Sequence, residues 1–213
     1  MRFKDRWEAG RILASRLAGY KGGDAIVYAL PRGGVVLGYE VSRVLNAPLD
    51  LVITRKIGYP GNEECAVCAV AEDGDMICDR AAASLVDPGW LSAQAERGIL
   101  EAKRMREIYL GGREQLSAEG KVAIVVDDGV ATGLSMLLAI QELAEMRPER
   151  VVVAVPVASP DAASRIREEA DELIALQVPS GFMAVGEYYE HFPQLSDEEV
   201  IGLLRRARDM PSC

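Results

Sequence analysis

Short apolar runs alternate with stretches of helical spacing along the chain. Residues 25–30 and 49–54 are β-type runs, and between them apolar residues fall at Val35, Val36, Tyr39, Val44 and Leu45, the spacing of a helix. A second such unit opens with residues 122–127, passes through an apolar helix over 135–146, and reaches 151–155, whose continuous valines suit a strand covered on both faces. Ser159 then reads as an N-cap with Pro160 at the first helical position, ahead of the strand-like 172–177. Strands alternating with helices predict a parallel α/β sheet. Between the two halves, residues 66–78 predict a hairpin turned at Asp73-Gly74. Asp87-Pro88 opens a long helix that stops at Gly111-Gly112. That helix reads as an insertion over the core, at about 80–116 of a single domain spanning 1–213. Further on, Ser196-Asp197-Glu198-Glu199 is a capping box before Val200, Leu203 and Leu204 on one helical face.

Composition adds exclusions. With 49% hydrophobic and 27% charged residues, the 213-residue chain has ordinary globular usage and is expected to be folded and soluble. Lys+Arg 24 against Asp+Glu 33 leaves a net charge of −9, which speaks against a general affinity for nucleic acid or an anionic membrane. Any anionic ligand must then be held by local geometry. No apolar run approaches membrane-spanning length and the start leads into no signal region, so a cytoplasmic location is expected. The cysteines, Cys65, Cys68, Cys78 and Cys213, are too few and too clustered for a disulfide framework. Cys65-Ala-Val-Cys68 has the spacing of a zinc or redox pair, but the sole histidine, His191, is far away. Reduced thiols acting as small apolar residues are the expectation.

The strongest chemical signal is Val122-Ala-Ile-Val-Val-Asp127-Asp128-Gly-Val-Ala131-Thr132-Gly133-Leu134-Ser135. A buried strand delivers two adjacent carboxylates to its C-terminal end, where ligands of open α/β sheets bind, and a small-residue turn then opens a helix. Amides of Ala131 to Ser135 at a helix N-terminus, with the hydroxyls of Thr132 and Ser135, suit a phosphate monoester. Asp127 and Asp128 would repel that phosphate unless they face something else, and vicinal ribose hydroxyls are natural donors to them. Leu30-Pro31-Arg32-Gly33-Gly34 is a second strand-to-helix turn, in which paired glycines let backbone N–H groups approach an oxyanion and Arg32 supplies positive charge. The third element is Thr54-Arg55-Lys56-Ile57-Gly58-Tyr59-Pro60-Gly61-Asn62-Glu63-Glu64, two cations at a strand end followed by a plausible mobile lid.

The first of these stretches resembles the PRPP-binding motif of the type I phosphoribosyltransferases, where PRPP is 5-phosphoribosyl 1-diphosphate. With the other two and Ala-Val-Gly-Glu-Tyr-Tyr, the chain resembles a bacterial group of phosphoribosyltransferases of unassigned acceptor. The resemblance implies a Rossmann-like parallel sheet flanked by helices, with a helical insertion and a small C-terminal hood at about 178–213. It implies that Asp127 and Asp128 hold the ribose 2- and 3-hydroxyls and help hold Mg²⁺, while Ala131, Thr132, Gly133, Leu134 and Ser135 hold the 5-phosphate. Arg32, Gly33 and Gly34 would form the pyrophosphate loop, by position with a cis peptide between Pro31 and Arg32, and Arg55 and Lys56 would sit on a closing loop. The implied reaction passes the 5-phosphoribosyl group to a nitrogenous base or related acceptor with release of pyrophosphate. A planar acceptor would stack on Phe182, with Tyr188 or Tyr189 as further candidates. Relatives acting on 6-oxopurines carry a further Asp where this chain has Ala131, which disfavours that route. Relatives are frequently dimers, so a homodimer is compatible with the resemblance. The alternative reading is a PRPP-binding regulator with little or no turnover. A serine hydrolase, a P-loop and a dinucleotide fold all lack their motifs here.

Overall fold

The computed structural model describes residues 2–210, apart from the side chains of residues 63 and 64; Cys213 and the Glu63-Glu64 side chains therefore lie outside the described part. In chain order the first elements are α1 (Arg6–Arg16), β1 (Ala25–Ala29), α2 (Gly34–Leu45), β2 (Leu49–Leu51), β3 (Thr54–Tyr59), β4 (Asn62–Ala71) and β5 (Met76–Cys78). There follow α3 (Arg80–Ala83), α4 (Pro88–Leu110), β6 (Val122–Val126), α5 (Leu134–Glu145), β7 (Arg150–Val157), α6 (Pro160–Glu169), β8 (Glu172–Gln177) and α7 (Asp197–Arg208).

A five-stranded parallel sheet runs in the order β2-β1-β6-β7-β8. Its two faces explain why the central strands read as unbroken apolar runs. Val27, Ala29, Ile124, Val126, Val152 and Ala154 pack on the side of α1, α2 and α7. Their chain neighbours Ile26, Tyr28, Ala123, Val125, Val151 and Val153 pack on the side of α5 and α6. Alternation is hidden because both faces are buried. From β1 the chain crosses to β2 on one side, and from β6 it crosses to β7 on the other. The order therefore reverses between β1 and β6, and the crevice at their carboxyl ends is where open sheets of this kind bind ligands.

Helix α1 was not legible in the hydrophobic pattern. Its buried residues include Ala9, Gly10, Leu13 and Ala14. A Cβ built on Gly10 would lie 3.1 Å from the Glu40 Cβ and from the Leu37 Cα of α2, so small residues carry the contact by letting the two helices approach closely. Asp5 caps α1 by accepting from the Glu8 amide at 2.8 Å.

The segment expected as a lid forms an antiparallel hairpin of β3 and β4 turning at Pro60-Gly61, with Gly61 at φ 80, and β5 adds a third strand. One expectation is overturned. Cys68 and Cys78, expected as reduced thiols, form a disulfide. They are direct partners across β4 and β5, a register set by the turn that the hydrophobic pattern could not supply. Cys65 is free and exposed. Among the described residues no helix is long and apolar enough to cross a membrane.

The hairpin and α4 meet the core through a cluster of buried charge. Arg106 of α4 pairs with Glu72 at 2.5 Å, and Glu142 of α5 lies beside both, its Oε2 buried without a hydrogen-bond partner. Burial pushes the Glu142 carboxyl from 4.5 up to about 7, against the pull of Arg106 and a hydrogen bond with Gln115. The folded state thus binds this proton more tightly than the unfolded chain. Its stabilising effect is full below pH 4.5 and is lost as the pH rises through about 7. Glu142→Gln is expected to stabilise the protein at pH 8 by roughly 1–3 kcal/mol in urea titrations, with the gain vanishing toward pH 4.5.

Candidate active site

The loops that leave β1 and β6 lie side by side because Ala29 pairs with Val126 at the ends of their strands. After β1, a cis peptide joins Pro31 to Arg32, as the resemblance implied. Gly33 and Gly34 then bring the backbone onto the second loop. A Cβ on Gly34 would stand 2.7 Å from the Val126 carbonyl oxygen and 3.0 Å from the Asp127 Cα, and one on Gly33 would overlap the Asp128 carboxylate at 1.8 Å. The glycines serve first to let the two loops touch. The Gly34 amide, expected to face an oxyanion, instead donates to the Leu30 carbonyl at 3.1 Å and so begins the turn into α2.

The two aspartate carboxyls lie within hydrogen-bonding reach of one another but have different further neighbours. Asp127 borders a cavity of about 230 Å³ together with residues 129–133, Ser135, Lys56 of β3 and Val185. Its Oδ1 accepts from the Asp128 amide at 2.8 Å, and burial, then the neighbouring Asp128 charge, holds its carboxyl well above the usual range. Asp128 does not border that cavity. Its Oδ2 accepts from Arg6 Nε at 2.7 Å, and its backbone carbonyl accepts from the Tyr189 hydroxyl at 2.6 Å. Burial raises its carboxyl as well, opposed by the Arg6 charge.

The turn after Asp128 is shaped by its neighbours. Gly129 has a Cβ position 2.5 Å from a Val185 methyl, so the hood segment rests on it. Gly133 caps α5 at φ 83, a left-handed conformation suited to glycine, and its Cβ position lies 3.2 Å from the Ala162 Cβ of α6. The carbonyls of Ala131 and Thr132 accept from Ser159 Oγ at 2.6 Å and Arg165 Nη1 at 3.4 Å. These carbonyls are turned toward α6. The free amides of the first turn of α5 and the Thr132 and Ser135 side chains belong to the cavity end of the helix.

Arg55 and Lys56, expected to act together, lie on opposite sides of β3 because successive strand residues alternate. Lys56 borders the 230 Å³ cavity. Arg55 reaches α4, with Nη1 3.7 Å from Met105 Sδ, and faces a larger groove of about 620 Å³ that is also bordered by Tyr59, Trp90, Arg97 and by Lys56, which thus borders both spaces. The larger groove does not reach the Asp127 loop, so the smaller cavity, where carboxylate, cation and helix N-terminus converge, is the candidate site. Arg32 is not among the residues that border the cavity; its Nη1 lies 3.6 Å from Asp197 of α7, which also accepts from the Tyr109 hydroxyl at 2.5 Å.

The aromatics of the hood divide as well. Phe182 stacks on Tyr188, ring centroids 5.7 Å apart and 13° from parallel, so it already has an aromatic partner. Tyr189 is buried and held by Asp128 and Phe3, which removes it from the acceptor candidates. Val185 is the hood residue that reaches the cavity. Arg6, Ser159 and Arg165 support the site from outside the motifs, and of these only Ser159 was marked in the sequence, by its capping pattern; Tyr189 was marked as an acceptor candidate and has a supporting role instead.

These loops, on this sheet, define a class. A family model described as a phosphoribosyl transferase domain matches residues 6–190, and the chain belongs to that family. Two curated Mycobacterium tuberculosis proteins, from strains CDC 1551 and H37Rv, carry provisional phosphoribosyl transferase names. Each is 39% identical over 207 residues, which is 96% of this chain and 47% of theirs. The chain thus spans about half the length of the curated relatives it matches. The crystal structure of TT1426 from Thermus thermophilus is 44% identical, with a TM-score of 0.77 over 97% of this chain and 99% of that one.

Gly34→Ala tests the contact between the loops, since its new Cβ meets backbone rather than a flexible side chain. The substitution should cost roughly 1–3 kcal/mol of stability in urea unfolding, by overpacking at this crossing.

Proposed function

We propose that this protein transfers the 5-phosphoribosyl group of PRPP to a nitrogenous base or related nitrogen acceptor, releasing pyrophosphate with Mg²⁺ as cofactor. The observation that carries the reading is the convergence of the Asp127 carboxylate, the Lys56 ammonium and the start of α5 on one cavity at the switch point of the sheet. In this reading residues 131–135 take the 5-phosphate at the helix N-terminus, through amides and the Thr132 and Ser135 hydroxyls. Asp127 accepts from the ribose hydroxyls. Asp128, whose Oδ2 is engaged by Arg6, offers its remaining carboxylate oxygen beside Asp127. Lys56 and Arg32 bring positive charge to the diphosphate, while Arg55 acts from the α4 side of the hairpin.

The acceptor nitrogen forms its bond to the anomeric carbon as the carbon–oxygen bond to diphosphate breaks, and the bonding pair leaves with pyrophosphate. Positioning and charge compensation are what these residues contribute to that step. Among the described residues no group of three or more His, Cys, Asp and Glu gathers to hold a metal. One oxygen ligand at Asp127 nonetheless fits Mg²⁺, which keeps waters and is often bound by one or two carboxylates together with substrate phosphates. When bound, the ion supplies neutralisation of the diphosphate. Ala131 offers no carboxylate to a base, which argues for an acceptor other than a 6-oxopurine. The apolar Val185 wall leaves recognition of its edge to polar groups elsewhere.

Labelled PRPP incubated with a panel of bases, with pyrophosphate release as a second readout, should show transfer to one acceptor class. Saturable Mg-PRPP binding with no product across the panel would indicate a PRPP-binding regulator, and no binding would end the reading. Once an acceptor is found, Lys56→Ala should lower kcat by about 100-fold with a smaller change in PRPP affinity. Arg55→Ala, directed at α4, should cost less than about tenfold in kcat.

A further inference from the structure

The guanidinium of Arg6 is nearly enclosed. Its side chain is 10% exposed and that of its partner Asp128 13%, and four separate contacts hold the pair. Arg6 Nε donates to Asp128 Oδ2 at 2.7 Å, and Nη1 donates to the Pro193 carbonyl at 2.7 Å. The guanidinium carbon stands 3.7 Å above the Phe192 ring. The fourth contact is with Gly33, whose Cβ position falls 1.8 Å from Asp128 Oδ2 and 3.1 Å from Arg6 Nε, so no larger residue fits between this pair and the loop.

Local physics does not favour an arginine here. Arg6 is the first residue of α1, where a cation opposes the helix dipole, and burying two charges costs several kcal/mol before their attraction returns any of it. Stability alone could be served by an apolar pair. The planar fork of arginine instead fixes direction, because it bonds a carboxylate and a carbonyl at once while lying flat on an aromatic ring.

We propose that Arg6 is a positioning residue for the pyrophosphate loop: by holding Asp128 beneath Gly33 it sets the height of the Arg32–Gly33 segment. The naming of that loop rests on the phosphoribosyl reading above. The placement of the segment by Arg6 does not. The ion pair also ties the loop to residues 189–193, since Tyr189 bonds the Asp128 carbonyl and Phe192 covers Arg6. N-terminal helix, hood and both substrate loops therefore share one fixed point.

The test uses the full chain with Arg6→Met and Arg6→Lys, the latter keeping the charge but losing the fork, and Arg11→Met on the exposed side of α1 as control. Amide resonances of Gly33 and Gly34 in the unliganded protein should move in both Arg6 variants and stay in place in the control. Mg-PRPP should bind about tenfold more weakly to Arg6→Lys, while ribose 5-phosphate, which lacks the diphosphate, should change by less than about twofold. Unmoved glycine resonances would overturn the proposal, as would equal loss of both ligands, which is the signature of a general structural role. If the wild-type chain bound no Mg-PRPP, the phosphoribosyl reading would fail, and the glycine resonances would still decide whether Arg6 places the loop.

Discussion

The crossing of two glycines over two aspartates is the contact on which the rest of this molecule depends. Gly33 and Gly34 lie so close to Val126, Asp127 and Asp128 that a single added carbon would overlap them. Such an approach requires β1 and β6 to be neighbours in parallel register, and that adjacency in turn makes the order of the sheet reverse between them. The crevice, the acidic pair and the strand-to-helix turn after β1 are then brought together by topology. Family membership, carried by a match over residues 6–190, agrees with this placement.

Charge is organised by the same crossing. The chain has an excess of acid, −9 in all, yet Lys56, Arg32 and the start of α5 are collected at the carboxyl end of the sheet. Local positive charge is thus present at this end without a basic surface. Burial and then the Asp128 charge raise the proton affinity of Asp127, and the Arg6 charge beside Asp128 offsets part of that rise. Adjacent residues can take different neighbours as the backbone passes them, as Asp128 does at Arg6 and Arg55 does at Met105 while Lys56 borders the cavity.

Segments outside the sheet hold this arrangement from two directions. On one side, β3, β4, β5 and α4 form a unit with its own apolar cluster and a disulfide between Cys68 and Cys78. It meets α5 through the buried charges around Glu142, on the helix whose first turn borders the site. On the other side the N-terminal residues pair with the hood: Phe3 bridges to Tyr189, and the Glu190 and His191 amides donate to the carbonyls of Phe3 and Lys4. Residues nearly the full length of the chain apart thus support one loop.

Read from the residues alone, the strand and helix pattern of 25–54 and 122–177 was legible because its cause is local: buried strands need apolar runs, and helices announce their ends through Ser159-Pro160, Asp87-Pro88 and Ser196. The acidic pair and the small-residue turn were legible for the same reason, as a motif contiguous in sequence. What only the tertiary structure decided are the choices made between distant segments. Which carboxylate and cation border the cavity depends on strand alternation, that Cys68 meets Cys78 depends on strand register, and that Arg6 reaches Asp128 depends on packing across more than a hundred residues. Sequence determines the kinds of groups available at each turn. Their directions are set by what the folded chain packs beside them.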